Sequence, residues 1–283
     1  MGKKRTIELL GKVAEMQASE IKRLEEALQA KSEICTVEAT VGNGVAAPNV
    51  NRIGEMTWAK ASVETIKRLL SDHYDGRLNI YDFWGIGDER EIYLGGGLKQ
   101  TVKMVLTDKA RYRIFPDGIN NDPVFCAFCV DQKNVLTDNY RCINADCTND
   151  GGWEACELRK WLNGEYVRAL PKEYAPKEYG GIFKEFELEV EKNVFDYFAL
   201  RSEVEIFGEG VCGPKDSGRQ IEWYKQTRNR IKLDGSDSAE SKSYWERTVY
   251  RDNTCSFCRV DRSGSANNYT SGTDYGVAPF GCI

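Results

Sequence analysis

The run Tyr244-Trp245-Glu246-Arg247-Thr248-Val249-Tyr250-Arg251-Asp252-Asn253-Thr254-Cys255-Ser256-Phe257-Cys258-Arg259-Val260 decides how the rest of the chain is read. An aromatic pair and a charged pair open it. The residues that follow, up to Tyr275, are mostly Asn, Asp, Ser, Thr, Tyr and Arg, and an apolar anchor, Gly276-Val277-Ala278-Pro279-Phe280-Gly281-Cys282-Ile283, closes the stretch. Between Tyr250 and Tyr275, apart from Cys255 and Cys258, only Phe257, Val260 and Ala266 are clearly apolar. Such a segment cannot bury itself and belongs on the surface. Tyr supplies rigid contact area at low entropy cost, while Ser, Asn and Gly supply adaptable hydrogen bonding. Pinned at both ends and carrying Tyr250, Tyr269 and Tyr275, the segment reads as a surface held out for binding.

The remainder of the chain is long enough to support that surface. Its 283 residues allow one large domain or two smaller ones. With 41% hydrophobic and 29% charged residues the composition is that of an ordinary soluble globular protein. A net charge of −5 argues against sequence-independent nucleic-acid binding. No apolar run approaches the roughly 18 residues that span a bilayer. The basic start, Met1-Gly2-Lys3-Lys4-Arg5, is followed by no apolar stretch, so no signal peptide is expected. A single histidine, His73, gives little scope for histidine chemistry and reads as a helix-end residue.

Ten cysteines, without a secretory signal, suggest buried or metal-bound thiols rather than a disulfide framework. Cys126, Cys129, Cys142 and Cys147 form a candidate zinc set, the first two at knuckle spacing. Cys255 and Cys258 repeat that spacing. The competing reading is that these thiols are small buried hydrophobes.

Ile7, Leu10, Ala14, Gln17, Ile21, Leu24 and Leu28 follow the spacing of a heptad seam, which predicts an oligomerising coiled-coil-like helix over residues 1–33. A dimer or trimer would follow. A flexible linker is expected over 34–52. Beyond it, Thr57 reads as the cap of a helix with Trp58, Ala61, Ile66, Leu69 and Leu70 on its buried face and Gly76 able to end it, and Ile80 to Leu94 as strand, turn and strand. Thr101 to Leu106 and Ala110 to Phe115 read as a hairpin, and Val124 to Val130 as a short buried strand. Gly151 to Gly164 reads as a helix stopped by Asn163-Gly164. Phe186 to Val190 reads as a charged edge strand, and Ile221 to Ile231 as a helix.

Tyr244-Trp245-Glu246-Arg247-Thr248, Ser256-Phe257-Cys258-Arg259-Val260, Gly264-Ser265-Ala266 and Gly276-Val277-Ala278-Pro279 together resemble the variable region of diversity-generating retroelement target proteins. Gly85-Ile86-Gly87-Asp88, the Gly151-Gly152-Trp153-Glu154-Ala155 segment and Leu200 to Gly208 resemble scaffold pieces of the same family. The resemblance implies an α+β, C-type-lectin-like domain over 53–283, with a variable region at about 244–283. It implies that error-prone reverse transcription at adenines rewrites chosen codons. The residues it marks as variable and ligand-binding are Tyr250, Arg251, Asp252, Asn253, Ser256, Arg259, Asp261, Arg262, Ser263, Ser265, Asn268, Tyr269, Ser271, Thr273, Asp274 and Tyr275. Trp245, Phe257, Cys258, Val260, Gly264, Ala266, Gly276, Val277 and Pro279 correspond to the constant frame.

The expected function is ligand binding, with a protein or glycan on a cell surface as partner and a phage tail or bacterial surface as location. No catalytic constellation and no cofactor is expected. The alternatives are an enzyme of the formylglycine-generating type, whose fold is similar and which uses a cysteine pair, and a zinc-stabilised binding module.

Overall fold

The computed structural model describes residues 56–283 except 116–121, 138, 177–179, 190, 192, 216–217 and 236–239. The expected coiled coil and linker lie outside the described residues. The fold is α+β, with helices and several antiparallel sheets.

Helix α1 spans Val63–Tyr74 and buries Val63, Ile66, Leu69 and Leu70. Its cap is Ser62, whose hydroxyl accepts from the Thr65 amide. Thr57 is not that cap: its carbonyl closes a separate turn, accepting from Lys60 and Ala61, and this turn buries Trp58. Strands β1 (Glu89–Leu94), β2 (Gln100–Lys109) and β5 (Phe128–Gln132) form the central sheet, which β13 (Phe280–Cys282) completes in the order β1-β2-β5-β13. Ile80–Asp82 is a 3₁₀ turn capped by Asn79 and not the strand expected there.

A second sheet runs β4 (Val124–Phe125), β3 (Arg113–Ile114), β6 (Phe186–Glu187), β7 (Phe195–Asp196). The expected Thr101–Phe115 hairpin does not form, because β2 pairs with β1 and β5 whereas β3 joins this second sheet. Val124 to Val130 splits likewise into exposed β4 and buried β5. β6 is an interior strand: Glu187 faces Arg113 (3.2 Å) and Glu189 pairs with buried Arg111, so these carboxylates are matched by cations and guard no edge.

Asn163-Gly164 does not end its helix. α2 (Gly152–Ala155) and α3 (Glu157–Trp161) continue through a π-helical turn, Leu162–Tyr166, into α4 (Val167–Ala169). The Asn163 side chain bonds the Phe198 carbonyl (3.0 Å) and the Tyr197 amide (2.7 Å), tying the widened turn to the neighbouring chain. α5 (Glu203–Phe207) starts with a reciprocal capping box between Ser202 and Glu205 and ends at left-handed Gly208. Residues 222–230 form two 3₁₀ turns in place of the expected helix. Strands β8 (Lys232–Leu233) and β9 (Ser241–Lys242) pair and lead into a three-stranded ribbon, β10 (Tyr244–Val249), β11 (Ser256–Val260) and β12 (Ala266–Thr270).

One hydrophobic core joins Trp58 and α1 to Trp153, Trp245, Phe257 and Ile283. Charge is buried within it. Arg201 bonds Asp131 through Nε (2.9 Å), while Thr107 and Tyr224 donate to the same carboxylate. Arg247 grips Glu205 with two nitrogens (2.8 and 2.9 Å). Burial disfavours the Glu205 carboxylate, but Arg247 and Arg201 outweigh it and hold the group well below the usual carboxylate range. These pairs fasten α5 and the central sheet to β10.

Glu246 differs. It is fully buried and neither carboxylate oxygen has a hydrogen-bond partner among the described residues. Burial first, then Glu203 beside it, pushes its pKa well up. The folded chain therefore holds a proton that the unfolded chain releases above about pH 4–5, and stability falls as pH rises past that range. Glu246→Gln should remove this slope, about 1.4 kcal/mol for each pH unit between the two pKa values, and so raise stability near pH 7. Thermal unfolding of both chains from pH 5 to 8 checks it; parallel pH profiles would contradict it.

Candidate functional site

Strand alternation places Trp245, Phe257, Arg259, Asn267 and Tyr269 on one face of the ribbon, through the pairs Trp245↔Arg259, Arg259↔Asn267 and Phe257↔Tyr269. Trp245 and Phe257 are buried and form the floor. Above them Tyr275 meets Trp245 edge-on (5.0 Å between ring centroids) and Tyr269 edge-on (5.5 Å). The Arg259 guanidinium lies 4.7 Å from the Tyr275 ring and 5.7 Å from the Tyr269 ring. Tyr269 remains 47% exposed, so its ring is available to a ligand.

This cluster continues onto a second element. Arg141 and Tyr275 exchange backbone hydrogen bonds, and the Trp245 indole donates to the Arg141 carbonyl (2.8 Å). The Arg141 guanidinium stacks on Trp161 at 4.0 Å. Two clefts flank that stack. One, about 300 Å³, is bordered by Tyr140, Glu157 and Asp274; the other, about 240 Å³, by Asn139, Glu165 and Arg168. Around the Arg141–Trp161 stack the two clefts thus offer an indole face, guanidinium groups and carboxylates, a chemistry suited to sugar rings or to peptide side chains.

The residues expected to vary do not all gather here. Arg259, Tyr269, Asp274 and Tyr275 belong to the cluster, with Thr273 beside them, its hydroxyl 3.0 Å from that of Thr270. Tyr250, Arg251, Asp252 and Asn253 form the turn between β10 and β11, at the same end of the ribbon as the Thr270–Asp274 turn. Arg251 is spent locally, bonding the carbonyls of Val211 and Gly213. Asp261, Arg262, Ser263 and Ser265 occupy the opposite turn, a strand's length away. There Asp261 accepts from Ser263 and Ser265; burial works against its charge, but these hydrogen bonds keep its pKa low. Asn268 points to the other face, towards Cys212.

Ser256 and Ser271 are buried and are not contact residues. The Ser271 hydroxyl donates to the Asp146 carbonyl and accepts from the Thr148 amide, each at 3.1 Å. The Ser256 carbonyl accepts from Asn149, which also holds the Asn253 carbonyl. Both serines therefore anchor the ribbon to the 144–151 loop. Gly264 at φ 82° turns the far end, and a Cβ there would meet Ile231 at 3.0 Å. The sequence reading missed Asn267, Arg141 and Trp161. Alternation from Tyr269 would have found Asn267, whereas nothing local marks the other two.

The cysteines regroup. Cys147 and Cys255, 108 residues apart, form a disulfide that fastens the 144–151 loop to the ribbon. This removes Cys147 from the expected zinc set, and Cys142 lies half-buried beside the Asp274 cleft, so that set is not assembled. Nor do Cys255 and Cys258 act as a pair, since Cys258 is buried facing the Val249 carbonyl. Cys126 and Cys129 do come together, with Cys282 as their third neighbour. Burial penalises all three thiolates, but hydrogen bonds from Cys129 and Cys282 favour the charged form of Cys126 and leave its neighbours protonated. His73 packs between Tyr74 and Tyr81 on α1, away from the ribbon strands. Among the described residues no helix is long and apolar enough to cross a membrane.

The family described as "Domain of unknown function (DUF6273)" matches residues 130–283, more than half of the chain, and so takes in the ribbon, Arg141, Trp161 and β13. No curated protein and no solved structure matches the chain.

Proposed function

The chain belongs to the DUF6273 family, and from that starting point we propose that it is a ligand-binding display protein whose contact surface is the Arg259–Tyr269–Tyr275 face of the ribbon. The observation that carries this reading is an exposed aromatic and cationic cluster standing on a fully buried floor, Trp245 and Phe257. Side chains on such a face can change without loss of the fold, because exposed substitutions usually cost within about 0.5 kcal/mol. The backbone beneath is fixed by Asn149, Ser271 and the Cys147–Cys255 disulfide.

The domain is of the C-type-lectin-like type and its ribbon is rewritten by a retroelement. The residues quoted for that resemblance support this: the frame positions Trp245, Phe257, Val260 and Val277 are buried, and most variable ones are at least partly exposed. The partner is a protein or glycan on a bacterial surface, and the protein acts on a phage tail or at a cell surface. Association through residues 1–33 would add avidity, for which linked sites gain about 10²–10⁴. The function is recognition, for which the face offers aromatic stacking and hydrogen bonding. Sequencing the codons of the ribbon across a growing population tests the proposal.

A further inference from the structure

β5 and β13 run antiparallel with Cys129 directly opposite Cys282. Phe128 and Ile283 exchange backbone hydrogen bonds one step away, which puts the cysteine pair at a non-hydrogen-bonded position, where facing side chains approach most closely. Cys126 reaches the same point from the link between β4 and β5, its amide held by the Tyr112 carbonyl. The three sulfur atoms lie within 4.8 Å of one another, and all three residues are fully buried. Tyr74 closes the corner, donating to the Ile283 carbonyl and accepting from the Ala127 amide.

We propose that Cys126, Cys129 and Cys282 form a closed three-sulfur site for a soft monovalent metal ion, Cu(I). Thiolate sulfur selects thiophilic ions, chiefly Cu(I) and Zn(II). Structural zinc takes four ligands in a tetrahedron, and among the described residues no fourth Cys, His, Asp or Glu joins the group. Cu(I) is satisfied by three sulfurs. Each thiol that becomes a ligand releases its proton, and the ion stays monovalent, so no electron is transferred. Because the site is closed, the ion enters as the chain folds and adds its binding energy to the folded state.

The alternative is that the thiols only fill space, as buried cysteines often do. The full chain, refolded anaerobically with Cu(I) and challenged with a Cu(I) chelator, separates the two. One copper per chain should be retained, with three sulfur neighbours by X-ray absorption. Cys129→Ser and Cys282→Ser should weaken retention by more than the ~10–100-fold that losing an outer-shell partner costs. Cys156→Ser, which removes a buried thiol outside the group, should leave it unchanged. No retained copper, retention of zinc in preference, or equal retention by Cys282→Ser would overturn the proposal. If the serine chains do not fold, the sulfur count on the unaltered chain decides, and fewer than three overturns it. None of these readouts involves the ribbon face, so failure here leaves the binding proposal untouched.

Discussion

Arg247→Met should lower the unfolding free energy by about 3–5 kcal/mol, the usual result of removing one partner from a buried ion pair. Arg247 is fully buried. It donates to both Glu205 oxygens, to the Leu200 carbonyl at 2.7 Å and to Glu191 at 3.0 Å. Without it Glu205 keeps Tyr112, the Ser202 amide and, at 3.9 Å, Arg201. Those partners do not replace a bidentate guanidinium. The melting temperature should fall on the order of 10 °C. Glu205→Gln should destabilise as well, and the double substitution should cost less than the two single effects added together. The pair also sets an acid limit. The folded-state pKa of Glu205 is depressed, so its contribution is complete above the ordinary carboxylate range and is lost as pH falls through the lower, folded value. Thermal unfolding at pH 7 and pH 3 measures both effects.

Tyr269→Ala should weaken binding to a cognate cell-surface ligand by about 2 kcal/mol, roughly thirtyfold, while changing folding stability by less than about 0.5 kcal/mol. The ring is exposed and its contacts are Tyr275 and Arg259. Tyr275→Ala should match it in binding but also cost stability, because Tyr275 packs edge-on against buried Trp245. Arg262→Ala and Ser263→Ala should have much smaller effects. Their turn follows Val260, three residues along β11 from the Phe257–Tyr269 pair and roughly 10 Å from it, and Arg262 is engaged by Glu240. Adsorption to bacterial cells and to panels of purified surface glycans and proteins measures all four. Loss of binding on Arg262→Ala, with none on Tyr269→Ala, would move the contact surface to the other end of the ribbon.

The buried frame of the C-terminal segment was legible because its chemistry is local, whereas its three strands were not. Trp245, Phe257 and Val260 stand out as apolar residues in a polar stretch, and each is buried. Gly264 announces a turn and takes a positive φ. The capping box at Ser202 and Glu205 and the glycine after Phe207 are equally local signals, though in sequence the stretch reads only as a family resemblance. What the sequence did not disclose depends on partners distant along the chain. Ser256 and Ser271 look like their exposed neighbours and are buried only because the 144–151 loop satisfies them. Asn163-Gly164 reads as a stop, yet bonds from Asn163 to residues 196–198 carry the helix past it. Cys147 and Cys255 are 108 residues apart, and no spacing rule joins them. Arg141 and Trp161 flank the clefts from separate elements, and only the fold brings them to Asp274 and Tyr275. Asp131, Glu246 and Arg247 are buried ionisable residues, which composition alone assigns to the surface.

In the proposed function a fixed frame carries an exchangeable recognition face. Sequencing of codons 244–283 across a growing population tests it most directly. Substitutions should concentrate at Arg259, Asn267, Tyr269, Asp274 and Tyr275, drawn from adenine-containing codons, with Trp245, Phe257, Gly264 and Ser271 unchanged. A uniform sequence, or substitutions spread evenly over frame and face, would contradict it.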